Sequence, residues 1–134
     1  MKTAFWRLAF RPFFLVGAAF SVITIGLWLG YLFGGLPYSG YLAPTVWHAH
    51  EMVYGFAVAI IAGFVLTAIR NWTGKPGVSG AKLQFLFAIW ASARVLNAII
   101  SEPSIPLSAL DLLFFPVMAA YLFPYLRIPD MKTE

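Results

Sequence analysis

The chain has 134 residues, of which 61% are hydrophobic and 10% are charged, with a formal net charge of +4. Soluble globular domains average about 45–50% apolar and about 25% charged residues, so this composition excludes a soluble monomer, a disordered tail and a nucleic-acid-binding module. With no cysteine in the chain, disulfides, iron–sulfur clusters and thiolate-bound metals are excluded as well. The composition is that of a membrane protein.

Four segments are long and apolar enough to cross a bilayer as helices, since a span needs about 20 mainly apolar residues. In chain order they cover about 13–33, 45–69, 83–101 and 107–126. No segment alternates apolar and polar residues as a strand does. The sequence therefore predicts an all-α, polytopic integral membrane protein in which residues 1–134 form a single domain of four transmembrane helices.

The basic residues predict the orientation of these spans. Eight of the nine Lys and Arg residues precede the first span, separate the second from the third or follow the fourth. The connections at 34–46 and 102–106 contain neither Lys nor Arg. By the positive-inside rule, both termini are expected in the cytoplasm. Topology and contact with anionic lipid then explain the basic charge, without a nucleic-acid partner.

Six polar side chains lie within the predicted spans, where each is costly. They are His48, His50, Glu51, Arg94, Asn97 and Asp111. Counting the helical rise from the outer end of each span places all six in the outer half of the bilayer, which predicts one site near the outer surface. Other interpretations stay open: Ser108 and Asp111 match a helix-capping box, and Arg94 could form a structural ion pair with either carboxylate.

The two histidines of the chain, His48 and His50, are two positions apart. Residues so spaced on an α-helix point about 200° apart, so the two imidazoles are expected to serve separate centres. On the helical wheel His48 shares its face with Gly55 and Ala59, a stripe of small residues that would admit either a flat macrocycle or a closely packed helix. His50 is expected to face a different helix or protomer.

Several short motifs resemble the N-terminal third of the NnrS family. They are Phe10-Arg11-Pro12-Phe13-Phe14, Trp47-His48-Ala49-His50-Glu51-Met52, Ala59-Ile60-Ile61-Ala62-Gly63-Phe64, Thr67-Ala68 and Asn71-Trp72-Thr73-Gly74. NnrS proteins are longer inner-membrane proteins with additional spans and histidines, reported to carry haem and copper and linked to nitric oxide metabolism. The resemblance implies a location in the bacterial inner membrane and a haem or copper role for His48 and His50.

Two functions of different classes follow. The first is a haem-binding protein with a redox or nitric-oxide-related role, with haem b and copper as candidate cofactors and nitric oxide or another diatomic gas as a candidate ligand. His48 and His50 would bind metal, Arg94 would pair with a haem propionate, and Glu51 would accept a hydrogen bond from an imidazole. The alternative is a scaffold or a small-solute transporter subunit without cofactor. A copper-only site is a third option, and no residue is assigned to catalysis.

The small number of histidines predicts a homo-oligomer. Haem–copper oxidases also place a His-x-His pair on one helix, where it serves two centres, and they arrange their spans with pseudo-threefold symmetry. By this analogy, three copies of a four-helix chain would recreate such an arrangement, so a homotrimer is favoured.

Overall fold

The computed structural model describes residues 4–127, which form one short 3₁₀ turn and four long helices. The turn is Ala4–Arg7, and the helices are α1 (Phe10–Leu32), α2 (Pro44–Thr73), α3 (Ala81–Ile99) and α4 (Ile105–Leu126). Within α2, the α-helical parts Pro44–His50 and Val58–Thr73 flank a π-helical segment, Glu51–Ala57. No strand occurs among the described residues, so the predicted all-α class is confirmed.

Proline and glycine set the helix ends close to their predicted places. Pro44 and Pro106 lie in the first turns of α2 and α4, where a missing backbone N–H breaks no helical hydrogen bond. Gly74 ends α2 with a φ of 67°, a left-handed conformation that glycine adopts without strain.

Three of the helices, α1, α2 and α4, are long and apolar enough to cross a membrane. The fourth helix that the structure describes, α3, is not apolar enough to meet the same criterion. It is 19 residues long and includes Lys82, Gln84, Arg94 and Asn97, which lower its hydropathy. Length and composition thus support three of the four predicted spans, and the span at 83–101 stays a prediction.

Helix α1 packs along α2, and α3 packs along α4. The centre of the bundle is Phe13, which is fully buried and makes edge-to-face contacts with Phe87, Trp90 and Phe114. Apolar burial and these aromatic contacts hold α1 against α3 and α4.

The stripe of small residues on α2 is filled by α1. A Cβ added to Gly17 would lie 3.1 Å from the Cβ of Ala59, and Gly63 lies against the side chains of Phe13 and Phe14. Close packing of α1 is therefore what the stripe provides at Ala59 and Gly63, which is one of the two interpretations that the sequence left open.

The basic segments meet at one end of the bundle, as predicted. The N–H of Gly80 donates to the carbonyl of Trp6 at 2.9 Å, which joins the segment before α1 to the connection between α2 and α3. The Tyr125 hydroxyl donates to the carbonyl of Pro76 at 2.6 Å, which joins the end of α4 to the same connection. The basic residues Lys2 and Lys132 lie outside the described residues.

Candidate functional site

Arg94 lies between two buried carboxylates at the opposite end of the bundle. Its Nη1 donates to Glu51 Oε2 at 3.0 Å, and its Nη2 donates to Asp111 Oδ1. Glu51 is 1% exposed, Arg94 6% and Asp111 8%. Because a buried charge is costly unless it is paired and hydrogen-bonded, these contacts tie α2, α3 and α4 together at this level.

Asn97 and His50 complete what we call the charge cluster: His50, Glu51, Arg94, Asn97 and Asp111. The Asn97 amide donates to Asp111 Oδ2 at 2.9 Å. His50 Nδ1 lies 2.9 Å from Glu51 Oε1, and its Nε2 lies 3.4 Å from Asp111 Oδ2. Every carboxylate oxygen of the cluster thus has a polar partner, and both ring nitrogens of His50 face a carboxylate.

The π-helical segment of α2 begins at Glu51 and is held by α3. Trp90 Nε1 donates to the carbonyl of Gly55 at 2.9 Å, a buried hydrogen bond between the helices. A Cβ at Gly55 would collide with the ring of Phe20 and would lie 3.2 Å from Arg94 Cδ. The missing side chain therefore lets the stem of Arg94 pass close to α2 and reach Glu51. Such π-helical turns are rare and occur frequently at functional sites.

His48 lies apart from the charge cluster, against α1. Its imidazole stacks on the indole of Trp28, with ring centroids 4.4 Å apart and planes 9° apart. Among the described residues, neither His48 Nδ1 nor Trp28 Nε1 has a hydrogen-bond partner, although both atoms are buried. A buried polar nitrogen without a partner is costly, so this pair is a position where a ligand atom would be stabilising.

Aromatic side chains continue beside this pair in the connection between α1 and α2. Tyr38 packs against Tyr31 and Trp47, with ring centroids 4.8 Å and 6.4 Å away. Burial raises the pKa of the Tyr38 hydroxyl, and Tyr31 and Tyr41 add to the shift. The Tyr38 hydroxyl therefore stays protonated to higher pH than a free tyrosine.

The structure brings together five of the six polar residues singled out in the sequence and leaves His48 outside. The prediction that the two histidines face apart is confirmed, since His48 contacts α1 and His50 contacts α4. The capping-box interpretation is wrong, because α4 begins at Ile105, three residues before Ser108, and Asp111 pairs with Arg94. Trp28 was not singled out, since nothing local in the sequence links it to His48.

Within residues 4–127, no group of three or more His, Asp or Glu side chains is arranged to hold a metal ion. Haem has a smaller demand on the protein, because the porphyrin supplies four ligands and the iron needs only one or two axial side chains. The unpartnered nitrogen of His48 fits that demand.

The apolar helices and the buried charge cluster between them define an all-helical integral membrane protein. The family described as NnrS protein matches residues 4–131, nearly the whole chain. The chain therefore belongs to the NnrS family, and the resemblance seen in its motifs is confirmed. No curated protein and no solved structure matches it.

Proposed function

We propose that this protein binds haem b at the outer end of its helical bundle and has a redox or nitric-oxide-related role in the bacterial inner membrane. Membership of the NnrS family, whose members are known for haem and copper, supports the proposal. The observation that carries it is the buried, unpartnered Nδ1 of His48. When bound, haem supplies one-electron chemistry and an iron that can take a diatomic gas.

In this proposal His48 would hold the haem iron, and Trp28, stacked on its imidazole, would fix the plane of the ring. Arg94 is the partner for a haem propionate through Nε, which is buried without a hydrogen-bond partner among the described residues. His50 is the candidate ligand of a second centre, haem or copper. One of the two carboxylates, Glu51 or Asp111, would then give up its contact with the imidazole. Of the two histidines, His48 has the stronger structural support.

We expect protein purified in mild detergent from haem-replete cells to show a Soret band, with haem measurable by chemical extraction. His48→Ala should lose most of the bound haem because it removes the imidazole nitrogen that would hold the iron. The matched variant His50→Ala should keep haem at His48 and differ from His48→Ala in its spectrum.

Three results would contradict the assignment in distinct ways. A colourless parent protein would contradict haem binding altogether. Copper found by elemental analysis without a Soret band would indicate the copper-only site. Wild-type haem content in His48→Ala would remove His48 as an essential ligand.

A scaffold or transporter subunit without cofactor is the second candidate function. It is favoured by the charge cluster, in which the carboxylates of Glu51 and Asp111 are already saturated by Arg94, Asn97 and His50. Such a closed set of contacts is sufficient for a structural role.

We also propose that α3 is the third of four spans and that both termini are cytoplasmic. Supporting this, Arg94 is paired inside the bundle, which reduces the cost of placing α3 in lipid. A phosphatase that is active only outside the cytoplasm should be active when inserted at 102–104 and inactive when inserted at 75–77 or fused after Glu134. Equal activity at 75–77 and 102–104 would contradict a transmembrane α3.

The oligomer that we propose is a homotrimer. Its support is the symmetry analogy with haem–copper oxidases and an open patch on α1 at Gly26, where an added Cβ would meet nothing within 4 Å. Native mass spectrometry from detergent is expected to give three chains per particle. A monomer that retains its full haem content would contradict the trimer.

A further inference from the structure

A cavity of about 370 Å³ lies at the basic end of the bundle, away from the proposed haem site. It is lined by the segment before α1, the last turns of α2 and the connection at 74–79. Each of these three segments contributes one cation to its lining: Arg7, Arg70 and Lys75 respectively. The cavity is therefore surrounded by positive charge from three directions.

The connection that lines the cavity is held in place by hydrogen bonds along its length. It begins with the N–H of Gly74 donating to the carbonyl of Arg70 at 3.0 Å. In its middle Pro76 accepts from Tyr125, and at its end Gly80 donates to Trp6. A connection fixed at its start, middle and end forms a wall that exists before any ligand arrives, which lowers the cost of binding.

The three cations have no carboxylate partner in the part of the chain that the structure describes. The acidic residues of that part are Glu51, Glu102 and Asp111, which lie at or beyond the opposite ends of α2, α3 and α4. Lys75 Nζ makes one long contact, 3.4 Å to the carbonyl of Pro124. In residues 4–127, moreover, no hydrogen bond is made by the N–H groups of Gly77, Val78 and Ser79. Within the described residues, three cations without a carboxylate partner thus line one cavity, which is the chemistry that attracts phosphate.

An apolar groove of about 550 Å³ lies on the other side of the start of α1. Its lining consists of five apolar side chains and one cation: Phe5, Phe10, Phe14, Leu15, Ala18 and Arg11. The N–H of Phe10 donates to Thr67 Oγ1 at 3.0 Å, and Thr67 in turn lines the basic cavity. A residue that lines the groove is therefore hydrogen-bonded to one that lines the basic cavity, and this end of the bundle offers one surface for a phosphate head and another for an acyl chain.

We propose that the cavity formed by Arg7, Arg70 and Lys75 binds a phosphate group, and that an anionic phospholipid supplies it. The same phosphate chemistry is available from free inorganic phosphate. The apolar groove beside Phe10 favours the lipid, as does the exposed indole of Trp72, two residues after Arg70 in α2. Lipid binding here would fix the basic end of the bundle at the headgroup layer.

The test uses the full-length protein in mild detergent, with phosphatidylglycerol, phosphatidylcholine or inorganic phosphate added separately and binding followed by native mass spectrometry and thermal shift. Phosphatidylglycerol is expected to bind and phosphatidylcholine to bind much more weakly. Arg70→Gln and Lys75→Gln should each weaken phosphatidylglycerol binding about fivefold, because each removes one of the three cations that line the cavity. Arg127→Gln removes an equal charge at the same end without touching the cavity, and should change binding less than twofold.

Each outcome bears on the proposal. Stabilisation by inorganic phosphate as strong as by phosphatidylglycerol, and lost in Arg70→Gln, would support the phosphate site and overturn the lipid as its source. If Arg70→Gln and Arg127→Gln weaken phosphatidylglycerol binding equally, the proposed site is wrong and the lipid is attracted by the overall positive charge of this end of the bundle. If Arg70→Gln does not accumulate in membranes, Arg7→Gln replaces it, because Arg7 also lines the cavity. Its phosphatidylglycerol binding is then compared with that of Arg127→Gln.

Discussion

Arg94→Met is expected to lower the free energy of unfolding by about 3–5 kcal/mol, because it leaves two buried carboxylates without their cation. Glu51 and Asp111 reach Arg94 from different helices, and their side chains are almost fully buried. Unpaired, these two negative charges would repel each other across the interface between α2 and α4. The measurement is thermal unfolding in mild detergent, followed by circular dichroism.

The control for this prediction removes the stranded carboxylates together with the cation. The triple variant Arg94→Met, Glu51→Gln, Asp111→Asn should recover more than half of the lost stability, because replacing a complete buried ion cluster costs less than breaking it. Arg127→Met, which removes an exposed arginine, should stay within about 0.5 kcal/mol of the parent. An Arg94→Met protein as stable as the parent would refute the structural importance of the cluster.

Phe13→Ala is expected to cost about 3–5 kcal/mol, the usual range for deleting a fully buried aromatic ring. Phe13 is 0% exposed and contacts the rings of Phe87, Trp90 and Phe114. Its removal would open a cavity where α1 meets α3 and α4. Leu15→Ala is the matched control, two residues along the same helix and 65% exposed, and should cost well under 1 kcal/mol.

The variant Phe13→Ala also distinguishes an effect on core packing from an effect on cofactor binding. If haem is bound through His48, Phe13→Ala should lower the unfolding temperature of the apoprotein and of the haem-loaded protein alike. Haem content per folded chain should stay near that of the parent, since Phe13 packs against Phe87, Trp90 and Phe114, whereas His48 stacks on Trp28. A selective loss of haem in Phe13→Ala would show that packing at Phe13 positions the cofactor site.

The sequence alone determined the helices and where the polar residues lie along them. Continuous runs of about 20 apolar residues form helices in a bilayer, because a helix satisfies every backbone group within its own segment. Proline then fixed the starts of α2 and α4 close to the predicted positions, and Gly74 ended α2. Helical rise was sufficient to place Glu51, Arg94 and Asp111 at similar depth.

Which of these residues touch was decided only by the tertiary structure. A helical wheel assumes 100° per residue, and the π-helical segment Glu51–Ala57 breaks that assumption directly after His50. Pairing also depends on how far each helix is rotated about its axis, which is set by packing such as that of Gly55 beneath Phe20. Depth along a helix is a local property of the chain, whereas rotation is fixed by neighbours. The sequence could therefore indicate the depth of the charge cluster along the helices. It could not indicate that Arg94 pairs with both carboxylates or that His48 stacks on Trp28.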